Sequence, residues 1–249
     1  MRYLHLLFRG VLARLPGFPR CKLCNRPLEG WASLSAIGLG PSRKNPLFCT
    51  FCFERLPLGG TQIDIAVLFA DVRGSTGLGE RLAPAAFAAL MNRFYRLATD
   101  VLVAHGAIVD KLVGDEVVAL FVPGLSGPGY RGLAARAGAA LVRALGHGSA
   151  GGPLLGLGVG VHAGEAFVGN VGAGSIADFT ALGDTVNTAA RLRSAAASGE
   201  VVMSEAVYAA VVDAYPGLLP RTVELRGRTA PVAVRVIEAP SVGAATPGS

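Results

Sequence analysis

Four cysteines and three short polar segments carry the side chains able to do chemistry in this 249-residue chain. Cys21 and Cys24 form one Cys-x2-Cys pair, and Cys49 and Cys52 form a second. Two such turns present four thiolates to one tetrahedral zinc ion. The alternative, a pair of disulfides, is disfavoured in a reducing compartment. The first polar segment, Phe69-Ala70-Asp71-Val72-Arg73-Gly74-Ser75-Thr76, places a carboxylate at the end of an apolar run and small residues after it. Asp71 offers a hard oxygen ligand to magnesium, while N–H groups at a helix start suit phosphate; an Asp there is also a common cap. The second, Lys111-Leu112-Val113-Gly114-Asp115-Glu116, reads as a hairpin tip. Asp115 can meet Asp71 across neighbouring strands, and two such carboxylates can hold a pair of metal ions; a surface Gly-Asp turn is the plainer alternative. The third runs from Phe179 to Arg191 and contains Thr180, Asn187 and Arg191. Asn187 and Arg191 are four apart on a predicted helix, so a neutral donor and a fixed cation share one face, which suits a phosphoryl group gaining charge.

These residues need elements to position them, and the apolar pattern supplies an α/β succession from Gln62 onward. Ile63 to Ala70 reads as a buried strand, and Pro84 opens a helix that runs to about Ala104 and stops at His105-Gly106. Ile108 to Val113 and Glu116 to Val122 read as a hairpin, and Arg131 to Leu145 as a helix. Leu155 to His162 and Glu165 to Val171 read as a second hairpin turning at Ala163-Gly164. Asp184 is placed as the cap of a helix reaching about Ala197, after which come a strand, a short helix and two strands. The fold class is therefore α+β with a mixed sheet.

Ahead of this region, Leu4, Leu7, Phe8, Val11, Leu12 and Leu15 recur at helical spacing among arginines, predicting an amphipathic helix within residues 1–20. Its apolar face would pack on the protein itself or a partner, or lie on anionic lipid. A small zinc-ribbon-like module is expected over 21–58, a larger domain over 59–240, and a frayed tail over 241–249. The module is poor in core-forming residues and would depend on its metal to fold.

Composition narrows the function classes. Hydrophobic residues make up 51% and charged residues 16%, with a mean hydropathy of +0.48, which excludes a disordered chain. The charge-free stretch from Ala144 to Gly164 holds eight glycines and Pro153, and so is no membrane span. No secretory cleavage pattern follows the N-terminal apolar stretch, so the expected compartment is the cytoplasm, with peripheral membrane contact as a variant. The net charge is +6, yet residues 1–60 carry nine Lys/Arg against Glu29 and Glu54, leaving the remainder at −1. The aromatics of that basic segment form no regular interleaving with its basic residues that would support base stacking, so nucleic acid is disfavoured as a partner relative to a regulatory protein or membrane surface. Only three of 23 basic residues are lysines, and Lys111 is the single one after residue 60.

Taken together, the three polar segments resemble those of class III nucleotidyl cyclase catalytic domains, in order and spacing, over about Gln62 to Ala239. The resemblance implies a ferredoxin-like βαββαβ core working as a head-to-tail homodimer, which converts a nucleoside triphosphate to its 3′,5′-cyclic monophosphate and pyrophosphate. It implies Asp71 and Asp115 as ligands of two Mg2+ or Mn2+ ions, and Lys111 and Thr180 as the base-reading pair. Asn187 and Arg191 would orient the ribose and stabilise the transition state, and Arg226 or Arg228 would meet the triphosphate. Many members have Asp where this chain has Thr180; the chain is similar to the subgroup with Thr or Ser there, some of which respond to bicarbonate. A lysine donating to N1 of adenine and a threonine accepting from its 6-amino group favour ATP over GTP. Two other readings stand beside this one: a catalytically silent cyclase fold serving dimerisation or binding, and a nucleic-acid-binding zinc protein.

Overall fold

The structure, a computed structural model, describes residues 9–30, 35, 38, 40–42, 45–54, 58–173, 176–225 and 231–239. It divides into two compact units. One comprises the described part of residues 1–60 together with Gly169–Phe179, and the other Thr61–Val168 with the described residues from Thr180 on.

In the smaller unit the described part of the N-terminal helix ends before Leu15, the last apolar position of its periodic pattern. Residues 9–12 are helical and a turn follows. Pro16, Gly17 and Pro19 explain the stop, since proline lacks an N–H and its ring clashes with the preceding turn. Val11 is 61% exposed. Leu4, Leu7 and Phe8 lie outside the described residues, as does the expected tail from 241. Both cysteine pairs sit in tight turns: Asn25 N–H donates to Cys21 O (2.9 Å) with Asn25 at φ 62°, and Cys52 N–H donates to Cys49 O (3.0 Å). Helix α1 (Thr50–Glu54) starts directly after Cys49 and carries Cys52. Its Phe53 ring lies 5.4 Å from that of Phe48 and 5.9 Å from that of Phe179.

The larger unit follows the βαββαβ order. Strand β1 (Gly59–Val72) leads through α2 (Ser75–Arg81) and α3 (Pro84–Ala104) to β2 (Ile108–Val113) and β3 (Glu116–Phe121). Then come α4 (Pro123–Ser126), α5 (Tyr130–Ala144), β4 (Leu157–Ala173), β5 (Ile176–Leu182) and α6 (Asp184–Ala195). The chain closes with β6 (Glu200–Ser204), α7 (Glu205–Tyr208), β7 (Arg221–Val223) and β8 (Val232–Glu238). The sheet order is β2-β3-β1-β4-β6-β8-β7, with β5 paired to β4. Strands β1 and β3 are antiparallel, while β4 and β6 are parallel, so the sheet is mixed as expected.

Helices α3 and α5 supply much of the core. Met91, Phe94, Ala98 and Leu102 on α3 recur at three- and four-residue steps and are buried, as are Ala134, Ala135, Leu141 and Val142 on α5. Alanines and glycines bring α5 close to the sheet: a Cβ on Gly138 would stand 3.0 Å from Val201 Cγ1 and 3.2 Å from Val159 Cγ1. A separate cluster joins Leu192 and Ala196 near α6 to Val202, Leu225 and Val234. Among the described residues no helix is long and apolar enough to cross a membrane.

Two sequence expectations need correction. The hairpin turning at Ala163-Gly164 does not exist; β4 runs unbroken from Leu157 to Ala173. Its glycines serve close approach instead. A Cβ on Gly160 would lie 2.1 Å from Arg193 N and 2.6 Å from Ala189 O, so α6 can rest on β4 only where the side chain is missing. Asp184 is the first residue of α6, and the cap position belongs to Gly183, whose φ of 136° a side chain would disfavour.

Candidate functional site

Asp71 is the penultimate residue of the buried run that closes β1 and is 9% exposed. Antiparallel register sets Asp71 opposite Glu116, and Val72 N–H donates to Asp115 O at 3.1 Å, so the strand end and hairpin tip meet as the sequence suggested. Gly114 makes that tip at φ 63°. The Ser75 hydroxyl donates to the Asp115 carboxylate. Two arginines hold Asp71: Arg73 Nη1 at 3.0 Å and Arg193 Nη1 at 3.3 Å. Arg193 Nη2 also reaches Glu116 at 2.9 Å.

Burial pushes the Asp71 carboxyl above its ordinary range, against the pull of Arg193, with Asp115 adding to the rise and Arg73 opposing it. Glu116 is raised too, by burial first, with Arg193 opposing and Asp71 and Asp115 adding. Asp71, Asp115 and Glu116 carry hard oxygen donors of the kind Mg2+ or Mn2+ takes, with Asp71 and Glu116 held by Arg73 and Arg193 in this structure. Glu116 and Arg193 were not singled out in the sequence. Arg193 stands two residues from Arg191, about 200° around the helix, and only the packed fold shows where it lands.

Lys111 and Thr180 are also brought together. Lys111 Nζ donates to Thr180 Oγ1 at 2.7 Å, although the two are 69 residues apart. A third residue, Asp110, joins them: its Oδ2 accepts from Lys111 Nζ at 2.9 Å and from the Thr180 hydroxyl at 3.0 Å. The Asp110 side chain is 5% exposed and that of Lys111 42%. Successive residues on a strand normally face opposite ways, but the β2–β3 register slips between Val109 and Lys111. That bulge leaves Asp110 as the extra residue and lets both neighbours address Thr180.

Asn187 and Arg191 lie one helical turn apart on α6, with Asn187 exposed and Arg191 half-buried. The helix buries Thr185, Thr188, Ala189 and Leu192. Arg193 and Arg191 therefore flank that buried arc on opposite sides. Arg193 turns to the carboxylates of its own chain, and the Asn187–Arg191 face turns away from them. Arg226 and Arg228 lie outside the described residues.

The four cysteines form a second cluster. All are buried, and their sulfurs lie within 4.8 Å of one another. Cys24 and Cys49 sulfurs are 3.7 Å apart, far beyond a disulfide bond of about 2.05 Å. Bonds of about 2.3 Å around tetrahedral zinc would put sulfurs ~3.8 Å apart, so the donor set fits that ion. Cys21 lies well below the ordinary thiol range because Cys24, then Cys49 and Cys52, donate hydrogen bonds to its sulfur.

Comparison with known proteins agrees with this geometry. The family model described as "Adenylate and Guanylate cyclase catalytic domain" matches residues 60–232. The crystal structure of the guanylyl cyclase Cya2 superposes with a TM-score of 0.64 at 27% identity, covering 72% of this chain and 93% of that one. That of the adenylyl cyclase CyaB from P. aeruginosa gives 0.62 at 29% identity, covering 74% and 98%. An uncharacterized protein of Mycobacterium tuberculosis is 37% identical over 187 residues, which is 72% of this chain and 33% of that protein. The chain thus spans about a third of the length of the curated relatives it matches.

Proposed function

The chain belongs to the adenylate and guanylate cyclase catalytic-domain family, and from that membership we propose that it converts ATP to 3′,5′-cyclic AMP and pyrophosphate in a head-to-tail homodimer. The observation that carries the choice of ATP is the 2.7 Å bond between Lys111 and Thr180, which aligns a cationic donor with a hydroxyl oxygen. Adenine presents an acceptor at N1 and a donor at its 6-amino group, matching that pair. Guanine presents a donor at N1 and an acceptor at position 6, and would leave a buried mismatch.

Asp71 and Asp115 would hold two Mg2+ or Mn2+ ions, which would supply Lewis-acid stabilisation of charge on the reacting oxygens. The ribose 3′-hydroxyl gives up its proton to solvent as its oxygen bonds to the α-phosphorus and the bond to the departing pyrophosphate breaks. The Asn187 amide orients the ribose for in-line attack, and the Arg191 guanidinium takes up charge gathering on the phosphoryl oxygens. Asp71 and Asp115 belong to one subunit, and Lys111, Thr180, Asn187 and Arg191 to the other. The opposed aim of Arg191 and Arg193 on one helix supports that split. Arg228 meets the triphosphate in this scheme. The ATP pool on which such an enzyme draws puts its work in the cytoplasm. The basic segment before residue 60 docks a regulatory protein or an acidic membrane surface.

Purified protein given ATP or GTP with Mg2+ or Mn2+ tests the assignment: cyclic AMP should form at least tenfold faster than cyclic GMP. A preference for GTP would overturn the base reading, and absence of both products would overturn the activity.

The four cysteines hold one structural zinc ion. Metal analysis after purification under reducing conditions should find about one zinc per chain. Cys24→Ala should open the segment ahead of Gln62 to proteolysis while later residues stay protected, because a core-poor module folds with its metal. Disulfides without zinc would contradict this.

A further inference from the structure

Asp110 has no part in the scheme proposed above, yet its side chain is only 5% exposed and bonds to both Lys111 and Thr180. A threonine hydroxyl alone is an ambiguous reader. It can accept from the 6-amino group of adenine or donate to O6 of guanine, according to where its proton turns. We infer that Asp110 is a positioning residue that makes Thr180 an acceptor toward the base, and so determines the preference for adenine; this rests on the base reading proposed above.

The donors and acceptors around Thr180 fix its role. An ionised carboxylate can only accept, so the 3.0 Å contact between Thr180 Oγ1 and Asp110 Oδ2 must use the hydroxyl proton. One of the two Thr180 lone pairs takes the proton from Lys111 Nζ at 2.7 Å. One lone pair remains. Lys111 has three ammonium protons, of which one goes to Thr180 and one to Asp110 at 2.9 Å. One donor remains. The group therefore offers one N–H donor beside one oxygen acceptor, the complement of the N1 and 6-amino edge of adenine. Guanine would face donor against donor and acceptor against acceptor. The bulge between Val109 and Lys111 makes this possible, because a regular strand would turn Asp110 away from Thr180.

Asp110→Asn keeps the shape and replaces an acceptor by an amide that can donate. The amide N–H2 can then donate to Thr180, freeing the hydroxyl proton to face O6 of guanine. The ratio of kcat/KM for ATP to that for GTP should fall at least tenfold, with the GTP value rising. A residue with only a structural role would lower both values together and leave the ratio standing. In a Thr180→Val background, which has no hydroxyl to orient, Asp110→Asn should leave the ratio within about twofold of that background. Should Asp110→Asn fail to fold, Asp110→Glu, which stays acceptor-only, should keep ATP ahead of GTP, and a collapse of the ratio there would overturn the inference. Wild-type preference for GTP would overturn both the base reading and this inference. Wild-type preference for ATP with an unchanged ratio in Asp110→Asn would overturn this inference alone.

Discussion

Lys111→Glu protein should lose ATP turnover by about a hundredfold or more while remaining folded. On the proposed base reading, the substitution replaces the donor that meets N1 of adenine with an acceptor. It also sets a second carboxylate beside Asp110, which now accepts from Lys111 Nζ at 2.9 Å. A buried polar mismatch costs about 1–3 kcal/mol, and an uncompensated charge costs more, with each 1.4 kcal/mol worth about tenfold in rate. Folding should survive because the Lys111 side chain is 42% exposed and its strand is held by the β2–β3 register. Gain of GTP turnover is not required, since the new carboxylate would have to find the guanine N1 and N2 donors from a site shaped around lysine. Unchanged ATP turnover in this variant would remove Lys111 from base recognition.

Much of this architecture is legible in the sequence because local signals and tertiary structure agree. Pro84 opens α3 and His105-Gly106 closes it, as the helix-boundary signals predict. The Gly114-Asp115 turn and the apolar runs on either side set the hairpin and, with β1, bring Asp115 to Asp71. The pairing of Lys111 with Thr180 was different in kind, reached through likeness to a family, since no periodicity links residues so far apart.

The remainder depended on packing. Glycines in β4 carry the signature of a turn, yet at Gly160 the missing side chain makes room for α6, which comes within 2.1 Å of where a Cβ would stand. Asp110 was hidden by the alternation rule, which a one-residue bulge suspends. Arg193 was overshadowed by Arg191, and its contacts at 3.3 Å with Asp71 and 2.9 Å with Glu116 arise from the docking of α6 on the sheet. These are cases in which a backbone irregularity or a long-range approach decides the direction of a side chain.

In the proposed homodimer, one nucleotide is served by two chains. Lys111 and Asp115 are four residues apart on one hairpin, yet the base and the metal-bound phosphates lie at opposite ends of ATP. Arg191 and Arg193 likewise divide between two directions from a single helix. Asp71→Ala removes a metal ligand and Arg191→Ala removes the transition-state cation, so each protein alone should form almost no cyclic AMP. A mixed dimer keeps one complete site, with Asp71 from the Arg191→Ala chain and Arg191 from the Asp71→Ala chain; its other site is doubly defective. Random exchange makes about half the dimers mixed, so the equimolar mixture should recover about a quarter of wild-type cyclic AMP formation from ATP. The direct measurement is that recovery, read beside an independent measure of subunit exchange such as energy transfer between differently labelled chains. Activity near a quarter with exchange under way is the result expected, whereas exchange without any return of cyclic AMP would mean that each site is built within one chain.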